Sequence, residues 1–183
     1  MIRTGIHPSA IIDFAGELRL PETTIIEPLV VIYGGIAASL VLGERNILYP
    51  GCVIRLDRGQ MRTGTDVSFG PGCQIYETRG GLSIGDHCMI GGGTLISGVN
   101  HGHAKIDIPM RNQAPTSLPI VIEHDVWIGM GVKLLPGIRI GTGSIIGAGS
   151  VVTADIAPYS IAMGIPCRVR KTRSGIPIPE QRD

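Results

Sequence analysis

The chain has 183 residues, with 16 Lys+Arg against 15 Asp+Glu and a formal charge of +1. That balance excludes a strongly basic nucleic-acid surface, and 43% hydrophobic residues exclude a disordered chain. The length suits a single core. Glycine and proline are abundant, at 27 and 13, whereas Phe, Trp and Tyr together reach only 4%. Such a chain cannot fill a broad core with rings and must use many small aliphatic contacts. No apolar run reaches the about eighteen residues of a membrane helix; the longest, around Leu29–Leu42, is broken by Gly34, Gly35 and Ser39. Asp13, Glu17 and Arg19 interrupt the start of the chain, so no secretory leader is read there and a cytoplasmic location is expected. Cys52, Cys73, Cys88 and Cys167 are too dispersed for a CxxC pair and are expected as buried small hydrophobes.

Counted in sixes from Ile6, the chain reads Ile6, Ile12, Leu18, Thr24, Val30, Ile36, Leu42, Leu48 and Ile54. A second register carries Thr63, Phe69 and Ile75, and a third Ile84, Ile90 and Ile96. The fourth is Ile122, Ile128, Leu134, Ile140, Ile146 and Val152. Eighteen of these 21 positions are Ile, Leu or Val, against 52 of 183 residues overall. A period of six matches neither a helix nor a hairpin. It fits a short strand, a turn and a fresh strand, with one aliphatic side chain inward on each. Three hexads make a triangular coil, so about seven stacked coils are predicted, roughly 30–35 Å long at the usual strand spacing.

The register breaks mark insertions. Steps of nine from Ile54 to Thr63 and from Ile75 to Ile84 place three extra residues near Asp57–Gly59 and Arg79–Gly81. Between Ile96 and Ile122 the step is 26, which ejects a long loop over 97–119 carrying His101 and His103. A long loop thrown out of a regular solenoid is a usual place for function. The expected organisation is a β-helix domain over 1–166, including that loop, and a C-terminal basic segment with a Pro-rich tail over 167–183.

The run IEHDVWIGMGVKLLPGIRIGTGSIIGAGSVVTADIAPYSIAMGIPCRVRK, residues 122–171, resembles the hexapeptide-repeat acyltransferases. Within them it is similar to the maltose/galactoside and polysaccharide O-acetyltransferase group. Asn100-His101, followed by Ile108-Pro109-Met110 and Gln113, resembles the loop of the bacterial surface-polysaccharide members. The resemblance implies an all-β, left-handed parallel β-helix. It also implies a homotrimer with active sites between subunits, acetyl-coenzyme A as donor, a hydroxyl or amine acceptor, and no metal. The chain departs from maltose-type members in carrying no helical N-terminal segment, which argues against a simple free sugar.

By that resemblance His101 is the catalytic base, since imidazole ordinarily titrates near neutrality and can take the acceptor's proton. Asn100 either orients the acceptor or stabilises a tetrahedral oxyanion, with a plain turn residue as the alternative. His103 is the substitute base or an acceptor-side residue. Glu77 falls near the acceptor-binding carboxylate of related sugar acetyltransferases, with a solvated carboxylate beside the inserted turn as the alternative. Trp127 is expected to shape a pantetheine tunnel lined by Gly129, Met130, Gly147, Ala148 and Thr153. Arg168, Arg170 and Lys171, with Arg173 beside them, are expected to meet the coenzyme phosphates. His7 reads as a cap, and His87 and His124 as residues of tight turns. Three other readings stand beside O-acetylation: N-acetylation of an amino-sugar nucleotide, a γ-type carbonic anhydrase using His101, His103 and His124, and a non-catalytic scaffold.

Overall fold

Each hexad folds as a strand of two to four residues followed by a tight corner, and every third strand returns to the same side. In the computed structural model, which describes residues 5–174, these strands form three sheets that are the faces of a triangular prism. The first face runs through Gly5–Ile6, Ile25–Ile26, Ile47–Leu48, Ser68–Phe69, Met89–Ile90, Trp127–Ile128, Ile145–Ile146 and Ser160–Met163, all parallel. The second runs from Ile11–Phe14 through Val31–Gly34, Val53–Leu56, Gln74–Tyr76, Leu95–Ser97 and Lys133–Leu134 to Val151–Val152. The third begins at Glu17–Arg19 and ends at Arg139–Ile140, with Ile156 bridging beyond it. The architecture is a left-handed parallel β-helix of about seven turns, as expected. No helix among the described residues is long and apolar enough to cross a membrane.

The core is a set of stacked columns. Ile26, Leu48, Phe69, Ile90, Ile128 and Ile146 stack inside the first face, and Ile32, Ile54, Ile75, Ile96, Leu134 and Val152 inside the second. Two positions before a column residue stands a smaller buried one at the corner: Asn46 before Leu48, Cys52 before Ile54, Cys73 before Ile75, Thr94 before Ile96, Ser144 before Ile146. These corner side chains meet carbonyls of the neighbouring coil. Cys73 Sγ donates to Gly91 O at 3.2 Å, Thr94 Oγ1 to Gly129 O at 3.3 Å, and Cys88 Sγ to Glu123 O at 2.9 Å. All four cysteines are buried and free, as the sequence led us to expect. Burial pushes the Cys88 thiol up to about 11, so it remains an uncharged donor.

One stretch of the hexad count needs correction. The column residues of the second coil are Ile26, Ile32 and Leu40, in register with Ile6, Ile12 and Leu18. The count selects Thr24, Val30 and Ile36 instead, and rejoins the columns at Leu42, which follows the Val41–Arg62 pair and so lies in line with Thr63 and Ile84. Ile36 is 88% exposed at a corner, whereas Thr24 and Val30 are buried corner residues. The aliphatic doublets Ile25-Ile26 and Val31-Ile32 satisfy either register, and only the extra residues near Pro21 and Gly35 decide between them. The insertions near Asp57–Gly59 and Arg79–Gly81 fall at corners between the second and third faces, as predicted. His7 closes a turn through Ser9, and His87 and His124 sit in turns beside Asp66 and Asp86.

The corner residues make a direct test of this packing. Asn46 Nδ2 donates to Gly43 O and Gly64 O, both at 2.8 Å, while its Oδ1 accepts from Thr63 Oγ1 at 3.0 Å. Replacing Asn46 by Ala strands these buried partners and is expected to lower stability by about 2 kcal/mol, read from a denaturant midpoint at unchanged slope.

Candidate functional site

The ejected loop leaves at the corner between the second and third faces, and its neck is braced. Gly98 lies against the coil beneath, where a Cβ would stand 2.9 Å from Glu77 O and 2.8 Å from Thr78 Cα. Val99–Asn100 pairs antiparallel with Thr116–Ser117, Asn100 opposite Thr116. Ser117 Oγ accepts from Gly80 N at 2.6 Å and donates to Gly98 O at 2.7 Å, tying both strands of the neck to the prism. Beyond the neck, His101 and His103 are exposed on either side of Gly102. His103 Nδ1 lies 3.1 Å from the His101 carbonyl, a contact that requires the proton on Nδ1.

Gln113 organises the rest of the loop. Its Nε2 donates to Lys105 O at 2.7 Å and Ile108 O at 2.8 Å, and its Oε1 accepts from Lys105 N at 3.1 Å. A Cβ on Gly102 would meet Ala114 O at 2.6 Å and Gln113 Cβ at 2.8 Å. Only glycine lets the two histidine-bearing residues sit this close to the returning strand. Gly102→Ala is therefore expected to open the loop and raise amide exchange across 101–114 by about tenfold or more, with the prism coils unchanged.

Glu77 stands on the coil directly beneath this neck, with φ +49°. Its Oε2 accepts from Arg79 Nε at 2.7 Å, while Asp57, one coil further down, pairs with Arg55 Nε at 3.3 Å. Burial raises the Glu77 carboxyl above its ordinary value, the neighbouring Asp57 carboxyl adds to this, and Arg79 opposes it. A carboxyl whose folded pKa is raised binds a proton on folding, so its contribution to stability falls as pH rises from the unfolded value through the folded one. Glu77→Gln removes that slope. The difference in melting temperature, variant minus wild type, is expected to be more positive at about pH 7 than at about pH 4; equal differences at both would contradict this assignment.

The remaining predicted site residues lie elsewhere on the prism. Trp127 projects from the first face, 50% exposed, in register between Met89 and Ile145. Gly129, Met130, Gly147 and Ala148 form the corner between the first and second faces. There coils pack backbone on backbone: a Cβ on Gly129 would lie 2.6 Å from Ala148 N. Thr153 is exposed just beyond Val151–Val152, past the second face. Arg168–Thr172 turns back antiparallel to Ser160–Met163, and a register shift leaves Arg170 without an opposite residue. Arg168 and Lys171 are exposed on this strand, whereas Arg173 donates to Asp125 Oδ2 at 2.8 Å and Gly143 O at 3.0 Å. The rest of the predicted Pro-rich tail, 175–183, lies outside the described residues.

The predicted residues therefore fall into two groups. Asn100, His101, His103 and Glu77 share the loop corner, while Trp127 and the Gly/Ala/Met set lie at the opposite side of the second face, about 20 Å away for six extended residues. One chain does not bring the two groups into a common pocket. Among the described residues, no three metal-ligating side chains converge. Sequence reasoning missed the neck clamp of Ser117, the loop bracing by Gln113 and the Asp57 carboxyl beside Glu77. Gln113 is visible as part of a motif, but nothing in the one-dimensional pattern shows its three loop contacts.

Residues 119–154 match a family described as bacterial transferase hexapeptide (six repeats), and residues 81–102 match the hexapeptide repeat of succinyl-transferase. The galactoside O-acetyltransferase of Escherichia coli is 43% identical over 89 residues, covering 48% of this chain and 42% of that protein. The 2,3,4,5-tetrahydropyridine-2,6-dicarboxylate N-acetyltransferase of Brevibacillus brevis is 36% identical over 99 residues, 51% of this chain and 37% of that protein. The chain thus spans less than half the length of these curated relatives. Among solved structures, AntD, an N-acyltransferase from Bacillus cereus in complex with dTDP and 3-hydroxybutyryl-CoA, superposes with a TM-score of 0.65 at 17% identity. That match covers 91% of this chain and 78% of the other.

Proposed function

The chain belongs to the hexapeptide-repeat acyltransferase family, and from that premise we propose that it moves an acetyl group from acetyl-coenzyme A to a hydroxyl of a sugar or polysaccharide precursor. The observation that carries this reading is the loop neck, which holds an exposed His101 on a braced hairpin at one edge of the prism. A histidine with its ring exposed, placed one residue beyond the paired strand that ends at Asn100, is suited to general-base work.

His101 takes the proton of the acceptor hydroxyl as its oxygen attacks the thioester carbonyl. The tetrahedral oxyanion receives a hydrogen bond from the Asn100 amide, then collapses, and the C–S bond breaks. The coenzyme thiolate leaves and takes up the proton that His101 removed. Glu77 and His103 face the acceptor side. Trp127, Gly129, Met130, Gly147, Ala148 and Thr153 guide the pantetheine arm along small residues, and Arg168, Arg170 and Lys171 pair with phosphates. Because the base lies on one edge of the second face and Trp127, Gly129, Met130, Gly147 and Ala148 on the other, with only Thr153 on the base's own edge, the complete site is built between subunits of a homotrimer. The protein works in the cytoplasm, where acetyl-coenzyme A is supplied.

N-acetylation is the second reading. It is supported by the N-acetyltransferase among the relatives and by the Asp57 and Glu77 carboxyls, which would also suit an ammonium group.

Thiol release from acetyl-coenzyme A over a panel of sugars, amino sugars and sugar nucleotides tests the reading. His101→Ala is expected to lower kcat at least about a hundredfold with coenzyme affinity retained. Full activity in that variant would remove His101 from the chemistry and leave His103 as the base. Light scattering is expected to give the mass of a trimer.

A further inference from the structure

Below the loop, the outward residues of the second face form a column. Asp13, Tyr33, Arg55, Tyr76 and Ser97 are in register on consecutive coils. At about 4.8 Å per coil, Tyr33 and Ser97 are roughly 14 Å apart. The Arg55 guanidinium carbon stands 4.7 Å from the centroid of the Tyr33 ring, covering one of its faces and joining the two side chains into one continuous patch. Along the same edge lie Asp57 and Glu77, each carboxyl paired with a guanidinium, Arg55 and Arg79. Ser97, at the head of the column, is followed directly by the neck, which leads on to His101.

We propose that this column is a binding track for an extended oligosaccharide, in which Tyr33, Arg55 and Tyr76 hold sugar units leading up to the one that reacts at the loop neck. The inference rests on the acetyltransferase reading and deepens it, because it makes the acceptor a chain. A pyranose offers an apolar C–H face and a rim of hydroxyls. Aromatic rings meet the first, and guanidinium and carboxylate groups with spare hydrogen-bonding positions meet the second. The charge pattern separates this ligand from a nucleotide sugar. A diphosphate needs uncompensated cations, whereas Arg55 and Arg79 are each already balanced by a carboxylate, which leaves the exposed Arg58, among the described residues, as a lone cation at the widened corner. What remains is a surface close to neutral, rich in donors and acceptors, laid along the prism axis.

The experiment uses the full chain and a series of neutral maltose-, cellulose- and chitin-type oligosaccharides, from the single sugar to the hexamer. Binding is followed by saturation-transfer NMR and calorimetry, beside UDP-glucose and coenzyme A. The expected result is that affinity for at least one series rises by about tenfold or more from the single sugar to the hexamer. Tyr33→Ala and Arg55→Ala should abolish that rise with coenzyme A affinity and melting temperature held, and Tyr33→Phe should keep it. Wild-type protein that binds none of the oligosaccharides overturns the proposal, as does a length dependence that survives both alanine variants. Binding of UDP-glucose to the track in place of the oligosaccharides also overturns it. If oligosaccharides bind through the track but no acetyl group is transferred, the track stands and the enzymatic reading falls. If transfer proceeds to long acceptors equally well in the alanine variants, the enzymatic reading stands and the track falls.

Discussion

Everything in this molecule depends on turning a chain through a third of a circle every six residues. A corner that tight leaves room for one small buried side chain and then one large one, and it turns backbone carbonyls toward the interior where water cannot reach them. Cys73, Cys88, Thr94 and Ser144 satisfy both demands at once, because each is small and each donates to a carbonyl of a neighbouring coil. The large positions then need only be aliphatic and stacked. The poverty in aromatic residues follows from the narrow bore of the prism, which admits one ring at Phe69 and few elsewhere.

The same rule explains how much is legible in one dimension. Where corners hold the minimum number of residues, as from Ile122 to Val152, the hexad count and the stacked columns coincide. Where corners carry extra residues beside aliphatic doublets, as around Ile25-Ile26 and Val31-Ile32, period alone cannot choose the strand residue and places Ile36 inside. Insertions away from such doublets appear as breaks in the count, which is why the loop and the two widened corners are located from sequence while the extra residues near Pro21 and Gly35 are not. The cysteines are legible as buried residues, but their thiol donation to carbonyls depends on the neighbouring coil, which is 18 residues away for Cys73 and 35 for Cys88.

The candidate site is legible by a different route. Chemistry-bearing residues lie on an irregular loop, so their identity comes from motif likeness while their support comes only from three dimensions. Ser117, Gln113 and Gly102 have no catalytic character, yet they decide where His101 stands, because they clamp the neck, fill the loop's backbone valences and permit close approach. A corner insertion leaves the ladder bonds of all three faces intact, so the loop can vary in length and content with little effect on the prism. The solenoid supplies rigidity and the loop carries the candidate site, and the two are joined at a stapled neck.

The terminal strand carries a further consequence. A parallel β-helix ends in three open edges, each a template onto which another extended chain can zip. Arg168–Thr172 reverses direction against the first face, replaces a parallel edge by an antiparallel one interrupted at Arg170, and lines it with positive charge. Arg173 pins the end of that strand to Asp125 on an earlier coil. The positive charge that Arg168, Arg170 and Lys171 place on this edge works against the addition of another strand. Neutralising it would lower solubility in a way that depends on protein concentration, which separates that loss from any loss of coenzyme affinity.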